Sequence, residues 1–378
     1  MGSVETVKDL STPVKVGEIG ELKNRVVMAA MTRARCDNPE LVPNDLMKEY
    51  YVQRKSAGMI LTEGTHPSVA GCGWVDVPGI YTEAQVEGWK KINDAVHADN
   101  GARMVLQIWH QGRQSHEEVR PGKVLSASAV QAKGNAHARS GTYPYPVPTE
   151  MTLDDIKQTI EDHRIAAKNA KAAGFAGVEI HSANGYLLDC FLQSRTNKRE
   201  DDYGGSIENR LKLQKEIIEA ILTEWPSTKV GIKFSPNGIF GDMGSPEYGE
   251  LFTAAIKNAA EYKLAFIEVT DGLAFGFHEL GPAFTLEEAR NAIETVQGPN
   301  PSTLLIGNCG YTRELANERI GADVADLVSF GRPFLSNPDL ADRLIQDKPL
   351  EDPLDHTYFF TFGMGEAGYT KIPAKSSS

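Results

Sequence analysis

Residues 25–36 read RVVMAAMTRARC, a short apolar run of strand length followed by a polar stretch without a glycine. A doubly wound nucleotide-binding sheet needs a glycine-rich turn after its first strand, because only glycine lets the backbone approach a phosphate closely there. The stretch therefore speaks against that fold. Seven similar runs follow: 58–63 GMILTE, 103–109 RMVLQIW, 177–181 GVEIH, 230–235 VGIKFS, 265–270 AFIEVT, 303–307 TLLIG and 326–331 DLVSFG. Most are continuously apolar, as parallel strands buried on both faces are. Helical patterns separate them. Eight strand–helix units predict an α/β fold, a single (β/α)8 TIM barrel.

Helix starts are marked locally. Thr285 with Glu288 forms a capping box, and Thr152 precedes an amphipathic stretch, Leu153–Ala173, that Gly174 closes. Ser245-Pro246 and Asn337-Pro338 each place a capping residue before a proline at the first helical position. Thr12–Leu22 reads as a hairpin plugging the barrel bottom. Between the third run and Thr152, about 40 residues show no helical period; loops longer than ~12–15 residues are usually functional or disordered. This one is expected to be a lid over the barrel mouth, with His110 and His116 as lid residues. Residues 1–378 are expected to form one barrel domain, with 1–11 and 374–378 flexible.

The whole-chain properties narrow the function. There are 39 Lys+Arg against 51 Asp+Glu, a net charge of −12, which repels phosphate backbones and makes nucleic acid a poor partner. No apolar run approaches the ~18 residues needed to span a bilayer, so no membrane partner is expected. The N-terminus lacks a secretory core, and the four cysteines are scattered without a CxxC pair; both fit a reducing, cytoplasmic location. Gly2 fits a loose myristoylation pattern, weakened by Glu5 and by the lack of a nearby basic run. No metal is expected, since no His-x-His stands near the first strand.

Barrels place chemistry at the C-terminal ends of their strands. Those ends carry Thr32, Gly64, Gln107, His181, Lys233, Gly310 and Arg332. After the fourth strand, His181, Asn184 and Tyr186 fall in one turn. Two neutral donors suit a carbonyl oxygen that gains negative charge. A phenol, far more acidic than a carbonyl α-carbon, can protonate that carbon. After the seventh and eighth strands, Cys309-Gly310 before a helix capped by Thr312, and Gly331-Arg332, have the makings of a phosphate site: backbone N–H groups plus one guanidinium. Gln107 can donate and accept against a heterocycle edge, and Thr32 can donate to a ring carbonyl. Ordinary packing and glycine turns would account for each of these residues taken singly.

Taken together they resemble the Old Yellow Enzyme family, the FMN-dependent ene-reductases that include the plant 12-oxophytodienoate reductases. The resemblance runs from Thr12 to about Pro373 and is most specific in GVEIHSANGYLLDCFLQSRTNKREDDYGGSIENR, residues 177–210. It implies that His181 and Asn184 hold a substrate carbonyl and that Tyr186 is the proton donor. Ala30, Met31, Thr32, Gly64, Gln107 and Lys233 would touch the flavin. Cys309, Gly310, Gly331 and Arg332 would hold its phosphate. Trp109 and the Tyr358–Phe359 pair would shape the substrate pocket. Three residues depart from the family pattern: Lys233 stands for an arginine, Ser182 for a glycine, and Cys309 for a common glycine. Lysine keeps the charge but loses the planar fork.

The resulting expectation is an NAD(P)H oxidoreductase with tightly, non-covalently bound FMN. It would reduce the C=C bond of α,β-unsaturated carbonyl compounds by ping-pong hydride transfer, using NADPH or NADH, as a monomer or homodimer. A family-type isomerase or desaturase, a non-catalytic binder, and a Schiff-base aldolase at Lys233 are the alternatives.

Overall fold

In the computed structural model, which describes residues 8–274 and 276–373, the eight predicted runs form a closed parallel barrel. Its strands are β1 (Val26–Met28), β2 (Met59–Leu61), β3 (Arg103–Ile108), β4 (Gly177–His181), β5 (Val230–Phe234), β6 (Phe266–Thr270), β7 (Leu304–Asn308) and β8 (Leu327–Phe330), and β8 closes onto β1. The strands are apolar on both faces because both are buried. One face, including Val26, Ile60, Met104, Val178, Ile232 and Leu305, packs outward with Trp89, Ile217, Phe252 and other helix residues. The other, including Val27, Met59, Val105, Phe266, Ile306 and Leu327, packs inward.

The hairpin Val14–Val16/Gly20–Leu22 adds Val16, Ile19 and Leu22 to that inner cluster, and the Glu18 N–H donates to the Thr228 carbonyl at the N-terminal side of β5. Residues 8–11, expected to be flexible, are tied down instead. Leu10 is buried, its N–H donates to Asn317 and its carbonyl accepts from Arg25. The Gly2 pattern and the last five residues lie outside the described residues.

Capping chemistry places several helices where the sequence puts them. Thr152 and Thr285 each complete a capping box, opening Leu153–Ala172 and Leu286–Gln297, and Thr312 caps Arg313–Gly321. Two starts differ. The helix after Ser245-Pro246 begins at Tyr248, and the one after Asn337-Pro338 at Leu340. Both proposed caps are engaged elsewhere: the Ser245 hydroxyl accepts from the Arg195 N–H, and the Asn337 side chain accepts from the Glu351 N–H.

The long connection after β3 is also more ordered than its sequence suggests. Leu125–Ser126 pairs with Thr149–Glu150, and Asn135–Ala138 forms a hairpin with Gly141–Pro144. Ala136 is buried with Ala132 and Tyr145, while His116 stacks on Tyr143 at 4.9 Å. Alanine, proline and glycine are weak strand formers, so the period-two burial of Asn-Ala-His-Ala does not announce a strand. Among the described residues, no helix is long and apolar enough to cross a membrane.

Candidate active site

A cavity of about 440 Å³ opens at the C-terminal ends of the strands. A second lobe of about 100 Å³ shares Ala30, Thr32, Asn184, Tyr186 and Lys233 with it, so the two are one site. The larger lobe takes Met31 from the end of β1, Cys309 and Gly310 after β7, and Gly331 and Arg332 after β8. The smaller takes Gly64, Gln107, Trp109 and His181. With Thr270 at the end of β6, the barrel thus collects residues from all eight strand ends, spread over about 300 positions of sequence, around one space. Tyr358 is the exception. It lies against Gly368, and its neighbours Phe359 and Phe360 line the cavity instead.

His181 ends β4. The turn that follows runs through two left-handed residues, Asn184 (φ 58°) and Gly185 (φ 70°), which is why Asn-Gly occupies it. It is held from both sides: the Asn184 N–H donates to Ser235 Oγ at 2.7 Å, its carbonyl accepts from Gln114 at 2.9 Å, and the Gly185 N–H donates to Asp189 at 2.8 Å. Tyr186 then precedes the short helix Leu187–Leu192. Trp109 meets Tyr186 edge-on at 4.8 Å and His181 at 6.2 Å. Burial, and secondarily the Lys233 ammonium, depress the His181 pKa to about 3, so its imidazole is neutral between about pH 5 and 8. Burial raises the Tyr186 phenol well above its ordinary value, so it keeps its proton. His181 Nδ1 and Trp109 Nε1 are buried with no partner, as groups waiting for a ligand would be.

Below the cavity lies a polar layer that the reading of the strand ends missed. Gln107 donates to Glu179 at 2.7 Å, Lys233 Nζ lies 3.1 Å from Glu268, and Glu268 accepts from Ser329. Glu179 is held well above the usual carboxyl range, first by burial and then by the charge of Glu268. A signal was present: GVEIH and AFIEVT each carry a lone acid within a run too apolar to be solvated.

Aromatic side chains frame the opening: Trp74, Phe240, Phe359 and Phe360. No residue between 110 and 152 lines either lobe, so the expected lid does not form this boundary. Two buried arginines hold the C-terminal segment there. Arg33 donates to the carbonyls of Tyr358, Phe359 and Gly368, and Arg35 to those of Thr361, Gly365 and Ala367. Tyr50 stacks on Tyr369 at 4.1 Å behind them.

Gly64 is needed for space. A Cβ there would lie 2.2 Å from the Trp109 ring. Gly64→Ala must displace the indole that braces Tyr186, and is expected to destabilise the protein by about 1–3 kcal/mol, read as a lowered thermal midpoint. Gly331→Ala, whose Cβ meets nothing nearer than 3.5 Å, should stay close to wild type. An equal fall in both variants would show that the Trp109 contact is not the cause.

The donor set fits an FMN. Gln107, Thr32 and Lys233 offer mixed donors and one cation to a planar ring, and the far end presents Arg332 beside a helix start. Cys309 (φ 82°) and Gly310 (φ 83°) both take left-handed backbone conformations there. For cysteine this costs about 1 kcal/mol or more, which accounts for a preference for glycine at that point.

Residues 9–351 match the family model described as NADH:flavin oxidoreductase / NADH oxidase family. The chain is 37% identical to 12-oxophytodienoate reductase 7 of Oryza sativa subsp. japonica, over 93% of this chain and 91% of the relative. It is 36% identical to a probable flavin mononucleotide-dependent alkene reductase of Leishmania infantum, over 93% and 94%. Among solved structures, the old yellow enzyme homologue from Zymomonas mobilis superposes with a TM-score of 0.89 at 36% identity, covering 97% of this chain and all of that one. Morphinone reductase superposes at 0.87 and 34% identity, over 98% and 97%. With a family match over residues 9–351 on an eight-stranded barrel whose mouth collects these residues, the chain belongs to the Old Yellow Enzyme family of FMN-dependent oxidoreductases.

Proposed function

We propose that the protein is an NAD(P)H-dependent ene-reductase acting on α,β-unsaturated carbonyl compounds. The observation that carries this reading is the meeting of His181, Asn184 and Tyr186 with Thr32, Gln107 and Lys233 around one cavity. FMN, when bound, would supply the two-electron chemistry that links a reduced nicotinamide to the alkene. His181 and Asn184 bind the substrate oxygen and stabilise the charge that develops on it; as neutral donors they do so without titrating. Tyr186 holds a proton at its phenol oxygen and gives it to the α-carbon. The aromatic rim excludes water from the reacting carbons. Arg332 and the N–H groups at 309–310 would hold the phosphate, and Thr32, Gln107 and Lys233 would orient the ring.

Two relatives, a 12-oxophytodienoate reductase and a probable flavin mononucleotide-dependent alkene reductase, agree with this chemistry. Lys233 is the salt-bridge partner of Glu268 rather than a lone amine in an apolar pocket, so a Schiff-base aldolase loses its physical basis. The test is spectroscopic. Purified protein is expected to carry a flavin band that NADPH bleaches without oxygen and that 2-cyclohexenone restores, with cyclohexanone as product. Colourless folded protein that takes up no FMN would overturn the cofactor; a bleached band that no enone restores would overturn the substrate class.

A further inference from the structure

The polar layer under the cavity holds more acid than the proposed reaction uses. Glu179 and Glu268 are both fully buried, on β4 and β6, either side of Lys233 on β5. Register brings them together: Lys233 lies opposite His181 on one side and Glu268 on the other, while Glu179 lies opposite Gln107 and Gly231.

Their surroundings differ. Glu268 sits 3.1 Å from the Lys233 ammonium and accepts from the Ser329 hydroxyl, to which Asn308 Nδ2 also donates at 2.6 Å. Glu179 receives one amide N–H, from Gln107, and its Oε1 is buried without a partner. His181, the other titratable group on this face, is neutral. Two carboxylates against one ammonium would leave an uncompensated charge in the barrel, and burying an unpaired ion is strongly unfavourable. One of the two carboxyls must therefore keep a proton. Ammonium and hydroxyl donors favour the anion at Glu268, and a protonated Glu179 can direct its O–H towards that anion.

We propose that Glu268 is the built-in counter-ion of Lys233, backed by a neutral Glu179, and that it lowers the reduction potential of bound FMN by compensating the ammonium next to the ring. Glu268 is thus a positioning residue, acting through Lys233. The inference rests on the FMN reading above. It also gives the lysine at 233 a distinct consequence: a single ammonium held at one carboxylate presents part of a charge to the cofactor.

The experiment compares two-electron midpoint potentials of the FMN-loaded wild type, Glu268→Gln and Glu179→Gln. Loss of the counter-ion should favour reduced over oxidised FMN by ten- to hundredfold, a rise of about 30–60 mV. Glu179→Gln replaces a neutral acid with a neutral amide of similar shape and should move the potential by much less. An unchanged potential in Glu268→Gln, or an equal rise in both, overturns the proposal. Infrared spectroscopy of the protein as purified adds a readout independent of FMN and of any variant at 268. The difference spectrum between wild type and Glu179→Gln at neutral pH should contain a carboxylic-acid C=O band lost in the variant; its absence overturns the proposal. Failure of wild type to bind FMN would count against the cofactor reading, while the infrared band would still decide the carboxyl pair.

Discussion

Tyr186→Phe slows alkene reduction by roughly 10²- to 10⁴-fold, the usual worth of a positioned general acid, and leaves reduction of the flavin by NADPH close to wild type. That loss corresponds to about 3–5 kcal/mol of barrier. The separation of the two half-reactions follows from where the proton is needed: only the alkene gains one at carbon. Phenylalanine keeps the ring and hence the edge-on contact with Trp109 at 4.8 Å, so the pocket should not collapse. Burial keeps the Tyr186 phenol protonated across the working pH range, so wild-type alkene reduction should show no tyrosine ionisation near neutrality. Stopped-flow measurement of each half-reaction separates the cases. If both rates fell equally, Tyr186 would be a structural residue and not a dedicated donor.

Removing the proposed donors to the substrate oxygen is expected to have the second large effect. His181→Leu keeps bulk in the pocket but removes an N–H, and is expected to lower the oxidative half-reaction by about 10²- to 10³-fold, the typical cost of one oxyanion donor. Asn184→Ala should fall in the same range, with a further small loss of stability because alanine must adopt φ near 58°. The two should be less than additive when combined, since both act on one oxygen. The pH dependence gives an independent check. With its pKa depressed to about 3, His181 stays uncharged from about pH 5 to 8, and the oxidative rate should be flat there. A rate that rose on protonation of a group near pH 6.5 would show that the working form is imidazolium, contrary to the neutral-donor reading.

The barrel was legible because its evidence is local. Each strand is a short apolar run, each cap a side chain within three residues of the N–H it satisfies, and the turn at 181–186 packs three site residues into six positions. The strand ends were legible for the same reason, since in this architecture the C-terminal end of every strand faces one side. The hairpin at 135–144 was hidden because alanine, glycine and proline carry no strand signature. The starts near Ser245 and Asn337 were misplaced because those side chains bond to partners far along the chain. Of the Tyr358–Phe359 pair, Phe359 lines the cavity and Tyr358 does not, because its side chain packs against Gly368 on the returning chain.

Composition, period and the spacing of polar residues along the chain were sufficient to specify an eight-stranded α/β barrel and to mark the turn and the strand ends proposed to bind a carbonyl and a phosphate. Closure of the barrel decided the rest. It set β4, β5 and β6 side by side, so that Glu268 meets Lys233 across 35 residues of sequence. It also brought residues 358–368 back to Arg33 and Arg35 across more than 320, which places the aromatic rim. Contacts of that kind depend on register and chain return. A local pattern constrains neither, because the same apolar strand can pair in several registers and the same arginine can bond to any free carbonyl.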